Sequence, residues 1–99
     1  MLNINKTVED GAAVFTLEGR LDTVTSPDLE AEIKEVLPDL KEITIDIENL
    51  DYISSAGLRV LLSTQKVMNR QGSMTISHVN DTIMKIFEVT GFSEILTIE

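Results

Sequence analysis

Few residues in this chain could do chemistry, and the informative ones sit together. The run Asp51-Tyr52-Ile53-Ser54-Ser55-Ala56-Gly57-Leu58-Arg59 passes from the end of a strand into the start of a helix. Two hydroxyls at a helix start have two possible uses. One serves as N-cap, its oxygen accepting a free backbone N–H. The other is left to accept a phosphoryl group at a place where the helix dipole tolerates negative charge. Gly57 falls in the first turn, where it costs about 0.5–1 kcal/mol relative to Ala. A glycine retained at that cost points to the close approach of another backbone.

Elsewhere the signals for catalysis are weak. His78 is the only histidine, and no partner for it is evident in sequence. It reads as a surface or turn residue. No nucleophile elbow of the G-x-S-x-G type is present, so a serine hydrolase triad is not supported. Glu30, Glu32 and Glu35, like Asp46 and Glu48, are carboxylates at the spacing of solvated faces, which gives no expectation of a metal site. There is no glycine-rich phosphate loop and no cofactor motif.

Composition narrows the choice further. The chain has 99 residues, no Cys and no Trp, and seventeen acids against eight bases leave a net charge of −9. With 42% hydrophobic and 25% charged residues, it is ordinary globular material for one domain over residues 1–99. A pI near 4.4 argues against direct nucleic-acid binding and against an anionic membrane surface. The absence of cysteine excludes a thiolate metal site and a disulfide scaffold, and fits the cytoplasm. The N-terminus does not read as a signal peptide, and no apolar run is long enough to cross a bilayer.

Several elements must position the serine pair. Asn3–Val8 and Ala12–Glu18 alternate around an Asp10-Gly11 turn and predict an antiparallel pair. Ser26-Pro27-Asp28 predicts a helix with Ser26 as N-cap, ended by Pro38. Glu42–Glu48 is the clearest strand, with Ile43, Ile45 and Ile47 on one face. A second helix runs to about Gln71, closed by Gly72. Ser73–Ser77 is a strand, and Asn80 caps a third helix that ends at Thr90-Gly91-Phe92. Ile95–Ile98 reads as a last edge strand. Each clear strand keeps a polar second face, which predicts a small mixed sheet with helices mainly on one side.

Three motifs together resemble the STAS domain family: Gly19-Arg20-Leu21-Asp22 before the Ser-Pro helix start, Tyr52 to Leu58, and Thr90-Gly91-Phe92. The likeness runs essentially the full length and is nearest to bacterial anti-sigma factor antagonists. It implies an α/β fold with a mixed sheet of four or five strands. It also implies a non-enzymatic switch protein. Unphosphorylated, such a protein binds an anti-sigma factor that is a serine kinase with a GHKL-type ATP site, and the sigma factor is released. Phosphorylation breaks that complex, and a PP2C-type phosphatase reverses the mark.

Carried over by position, the phosphorylated serine falls on Ser55, two residues before Gly57. The family usually has Asp where this chain has Ser54, which adds a second candidate hydroxyl. Asp22 matches the family's acidic loop residue near the phosphorylation site, although a loop hydrogen bond would explain it equally well. Arg59 stands where many antagonists have a small residue. The resemblance thus implies a partner surface of Asp22, Ser54, Ser55, Gly57, Leu58 and Arg59. The Ser54 departure keeps open an alternative, a constitutive STAS adaptor of a transport or stress-signalling complex that is never phosphorylated. Arg59, Lys66 and Arg70 share one helix face, a local positive stripe that is either simply solvated or a guide for an acidic partner.

Overall fold

Asp10 and Gly11 both take positive φ (50° and 80°) and turn the chain between its first two strands. That backbone twist matches the twist of the strands it joins, so β1 (Leu2–Glu9) and β2 (Ala12–Leu21) pair antiparallel from Glu9–Ala12 to Leu2–Gly19. The computed structural model describes all residues, Met1–Glu99. After β2 come α1 (Ser26–Val36), β3 (Glu42–Ile53), α2 (Ser55–Gln71), β4 (Ser73–Ser77) and α3 (Asp81–Thr90). Single 3-10 turns at Leu37–Asp39 and Phe92–Glu94 complete the chain.

The sheet order is β1-β2-β3-β4, with β2, β3 and β4 mutually parallel. The two crossovers β2-α1-β3 and β3-α2-β4 step in the same direction. Two crossovers of the usual right hand must then lay both helices on one face. The burial pattern agrees: Ala13, Phe15, Leu17, Ile43, Ile45, Met74 and Ile76 are all buried, while Val14, Glu18 and Glu48 on the opposite face are exposed. Phe15, Ile45 and Ile76 lie in register across three strands and form one row of the core. The expected mixed sheet with helices on one side is the observed fold.

Three expectations need correction. β3 extends to Ile53, not Glu48. Its register against β2 jumps between Thr16 and Glu18 and again between Gly19 and Arg20. Each jump inserts one extra residue into β3 and reverses which residues face inward. Buried positions therefore go from Ile47 to Leu50 to Ile53, a spacing that hides a strand from any search for strict alternation. Ser26 is not the N-cap of α1; Thr25 holds that position, and Pro27 is the second helical residue. The residues Ile95–Ile98 do not form a fifth strand. They contribute one parallel bridge, Ile98 to Ile76, so the sheet has four strands.

Gly72 does close α2, but not in the left-handed conformation typical of a glycine cap. Its φ of −178° is extended. The reason for glycine is space: a Cβ there would lie 1.8 Å from the Lys41 carbonyl oxygen, which also accepts the Ser73 N–H at 3.0 Å. Gly91, by contrast, is left-handed at φ 83°, and Phe92 after it packs on the core as expected. Gly72→Ala must push backbone against backbone. We expect it to lower unfolding free energy by about 2–3 kcal/mol in urea denaturation. A loss below about 0.5 kcal/mol would show that the crossover relaxes freely.

Candidate functional site

The serine pair lies where α2 starts on top of β2 and β3. Ser54 is extended (φ −96°, ψ 175°), and its N–H donates to the Leu21 carbonyl at 2.9 Å, tying the end of β3 to the end of β2. Its hydroxyl oxygen accepts the Gly57 N–H at 3.3 Å, and its carbonyl accepts the Leu58 N–H at 2.9 Å. Ser54 is therefore the N-cap, and its hydroxyl is committed to holding the helix start. Ser55 is the first helical residue, exposed, with no hydrogen bond on its hydroxyl.

Gly57 is buried, and the reason differs from the expected approach of another backbone. A Cβ at that position would lie 2.8 Å from Leu21 Cγ and 2.9 Å from Ile53 Cγ1. Both side chains are fully packed in the core. Glycine lets the first turn of α2 sit directly on the ends of two parallel strands.

Asp22 organises the loop that leads into α1. Its Oδ1 accepts the Val24 and Thr25 N–H groups, both at 3.0 Å, and lies 3.1 Å from the Thr25 hydroxyl. Thr25 Oγ1 in turn accepts the Asp22 N–H at 2.9 Å and lies 2.8 Å from the Arg20 carbonyl. The Ser26 hydroxyl donates to the Asp22 carbonyl. The backbone N–H of Thr25, above all, holds the Asp22 carboxyl below the usual carboxylate range. Asp22 Oδ2 stays outward, 3.8 Å from Arg20 Nε, and the Arg20 guanidinium lies 4.3 Å from the centroid of the Tyr52 ring. The loop hydrogen-bond role is thus occupied in full. The Ser54-to-Leu21 hydrogen bond places the loop beside the serine pair.

The residues grouped by the sequence reading divide into two layers. Asp22, Ser55 and Arg59 reach solvent, whereas Gly57 and Leu58 are buried in the free domain, Leu58 being only 6% exposed. Ser55, Leu58, Arg59 and Leu62 form one wall of an open groove of about 300 Å³; Thr90 and Phe92 form the other. Thr90 and Phe92 were visible in sequence only as a helix end. Tertiary packing makes them neighbours of Ser55. Arg59, Lys66 and Arg70 are all exposed, so the positive stripe on α2 faces solvent.

The sequence matches the STAS domain family over residues 3–99. This chain belongs to the STAS domain family. Among relatives, it is 32% identical over 97 residues to the anti-sigma-B factor antagonist of Staphylococcus aureus, covering 96% of this chain and 90% of that protein. A solved anti-sigma factor antagonist from Mycobacterium paratuberculosis superposes with a TM-score of 0.88 at 22% identity, covering 99% of this chain and 85% of that one. The Bacillus cell fate determinant SpoIIAA, solved in its phosphorylated form, gives 0.76 at 19% identity, with coverage of 100% and 91%. These two structures share the STAS fold; the Staphylococcus relative is similar in sequence along nearly its whole length.

Away from this site, His78 has a partner that the sequence reading did not find. Its Nδ1 lies 2.9 Å from Asp46 Oδ2, because parallel pairing sets Asp46 against Ser77, next to His78. The hydrogen bond to Asp46 raises the His78 pKa above its ordinary value. A raised pKa means that this pair stabilises the fold below the ordinary histidine pKa, and that the contribution is lost as pH rises through the higher folded value. In an NMR titration, Asp46→Asn should bring the His78 pKa back down; an unchanged pKa would refute the pairing.

Gly57→Ala should destabilise the domain by about 1–3 kcal/mol through overpacking against Leu21 and Ile53. Chemical denaturation measures this directly. An unchanged midpoint would mean that the helix start is not seated as described.

Proposed function

We propose that this protein is an anti-sigma factor antagonist worked by phosphorylation of Ser55. Unmodified, it binds an anti-sigma factor serine kinase with a GHKL-type ATP site in the cytoplasm, and the sigma factor is freed. The observation that carries the site assignment is the division of labour between the two serines. Ser54 spends its oxygen on the helix cap and is half-buried; Ser55 is exposed and unbonded. The Asp that the family usually has at this position is also a good N-cap, so Ser54 is an equivalent choice for that task. The departure from the family pattern then leaves Ser55 untouched.

In the transfer step, Ser55 Oγ attacks the γ-phosphorus of ATP. The new O–P bond forms as the bond to the β-phosphate oxygen breaks. ADP leaves, and the hydroxyl proton passes to a base on the kinase. A PP2C-type phosphatase hydrolyses the ester with water, returning the hydroxyl and inorganic phosphate. This domain contributes only the acceptor and the surface around it: Asp22, Ser54, Arg59 and the groove over Leu58. Gly57 contributes from below by seating the helix.

The phosphate adds about −1.5 to −2 charge and three acceptor oxygens at one surface point. No backbone or side-chain hydrogen bond of the domain has to break to admit it, since the Ser55 hydroxyl makes none. Modification should therefore change the interface and leave the fold intact. The phosphorylated SpoIIAA structure is a precedent for a STAS domain of similar fold that carries phosphate.

Incubation with the cognate kinase and ATP should add one phosphate, mapped to Ser55 by mass spectrometry. Ser55→Ala should abolish it, and a phosphate persisting on Ser54 would overturn the assignment. Ser55→Asp should weaken kinase binding at least about tenfold, or 1.4 kcal/mol. Full affinity with Ser55→Asp, together with no phosphate on protein from the native cell, would favour the constitutive adaptor role.

A further inference from the structure

Arg59 follows Ser55 by four residues on α2, and both line the groove closed on its far side by Thr90 and Phe92. Helical side chains lean toward the N-terminus of their helix, so a residue at i+4 reaches back over the residue at i. Arg59 is the only charged residue lining this groove. It makes no ion pair in the unmodified domain. A second groove, between α1 and α2, is lined by Arg59 and by Glu30, which is the one acid there. Glu30 already has Lys34 at 3.9 Å. Arg59 is thus a fork-shaped donor with no committed acceptor, one helical turn from the serine.

We propose that Arg59 captures the phosphate on Ser55 within the same helix. This rests on the reading of Ser55 as the modified residue. Opposite charges at this spacing stabilise one another, and a guanidinium binds phosphate oxygens through paired hydrogen bonds. The phosphate carries nearly twice the charge of the Glu30 carboxylate, so it wins the competition for Arg59. Phosphorylation then acts twice on the partner surface. It adds negative charge, and it withdraws the one cation of the groove from any acidic group on the partner. A small residue at position 59 could provide only the first effect.

The test needs no kinase. Phosphoserine is encoded at position 55 during translation, and its second ionisation, ordinarily near pH ~6, is followed by phosphorus NMR. In the otherwise unchanged domain the pKa should be lower than in Arg59→Gln by about half a pH unit. The difference should shrink in about 1 M salt, which screens exposed charges. Lys66→Gln, an exposed cation farther along α2, should leave the value unchanged. The helix start acts equally in all three proteins, so it cancels. Equal titrations for Arg59→Gln and the parent would overturn the capture, as would equal effects of the two substitutions. Because the phosphate is installed directly, these outcomes stand apart from whether a kinase modifies Ser55. Failure of a cognate kinase to phosphorylate Ser55 would count against the proposed function alone.

Discussion

The site depends on the seating of the α2 start on the ends of β2 and β3. Ser54 donates to the Leu21 carbonyl, and Gly57 lies against the Leu21 and Ile53 side chains. These contacts fix the height and direction of the helix. Leu21 and Ile53 are buried in the one apolar cluster, so the helix start inherits the rigidity of the core. Close-packed interiors do not yield to small displacements, which makes this a firm platform. Ser55 is the first residue above it. Its exposure therefore follows from the packing below.

Asp22 extends the same arrangement sideways. Its carboxylate collects two backbone N–H groups that a loop leaving β2 would otherwise present to water. This ordering sends the chain into α1, while the parallel pairing of β2 with β3 sets Arg20 beside Tyr52. The acid that could have been a contact residue is first of all a loop anchor, with one oxygen left outward.

Charge is distributed unevenly over the domain. Acids dominate overall, and several basic residues are already engaged: Lys6 with Glu32 and Glu35, and Lys34 with Glu30. The α2 face carrying Arg59, Lys66 and Arg70 stands apart, exposed and basic. A partner that presents acids would be guided to this face, since complementary charge acts mainly on orientation and encounter. The groove beside Ser55 is otherwise apolar or uncharged, with Leu58, Leu62 and Phe92 in its walls. Any charge placed there faces little competition from the domain itself.

Local chemistry determined much of this protein from sequence alone. The Asp10-Gly11 turn, the Asn80 cap, the left-handed Gly91 and the inward face of Ile43, Ile45 and Ile47 all depend on residues close in the chain. One-sided burial followed from polar second faces, and the sheet with its helices on one side followed from that. The family likeness was legible because its motifs sit where the chain must turn or begin a helix. Tertiary structure decided the rest. The end of β3 was hidden because two register jumps against β2 reverse its alternation, and only the partner strand reveals them. Gly72 looked like local punctuation and Gly57 like room for another backbone, yet each answers to atoms distant in sequence: the Lys41 carbonyl in one case, the Leu21 side chain in the other. His78 found Asp46, and Ser55 found Thr90 and Phe92, across parallel pairing and helix packing. Spacing along a chain carries periodicity and caps, because those interactions span a few residues. Which surfaces meet is set by packing between elements, which only the folded chain supplies.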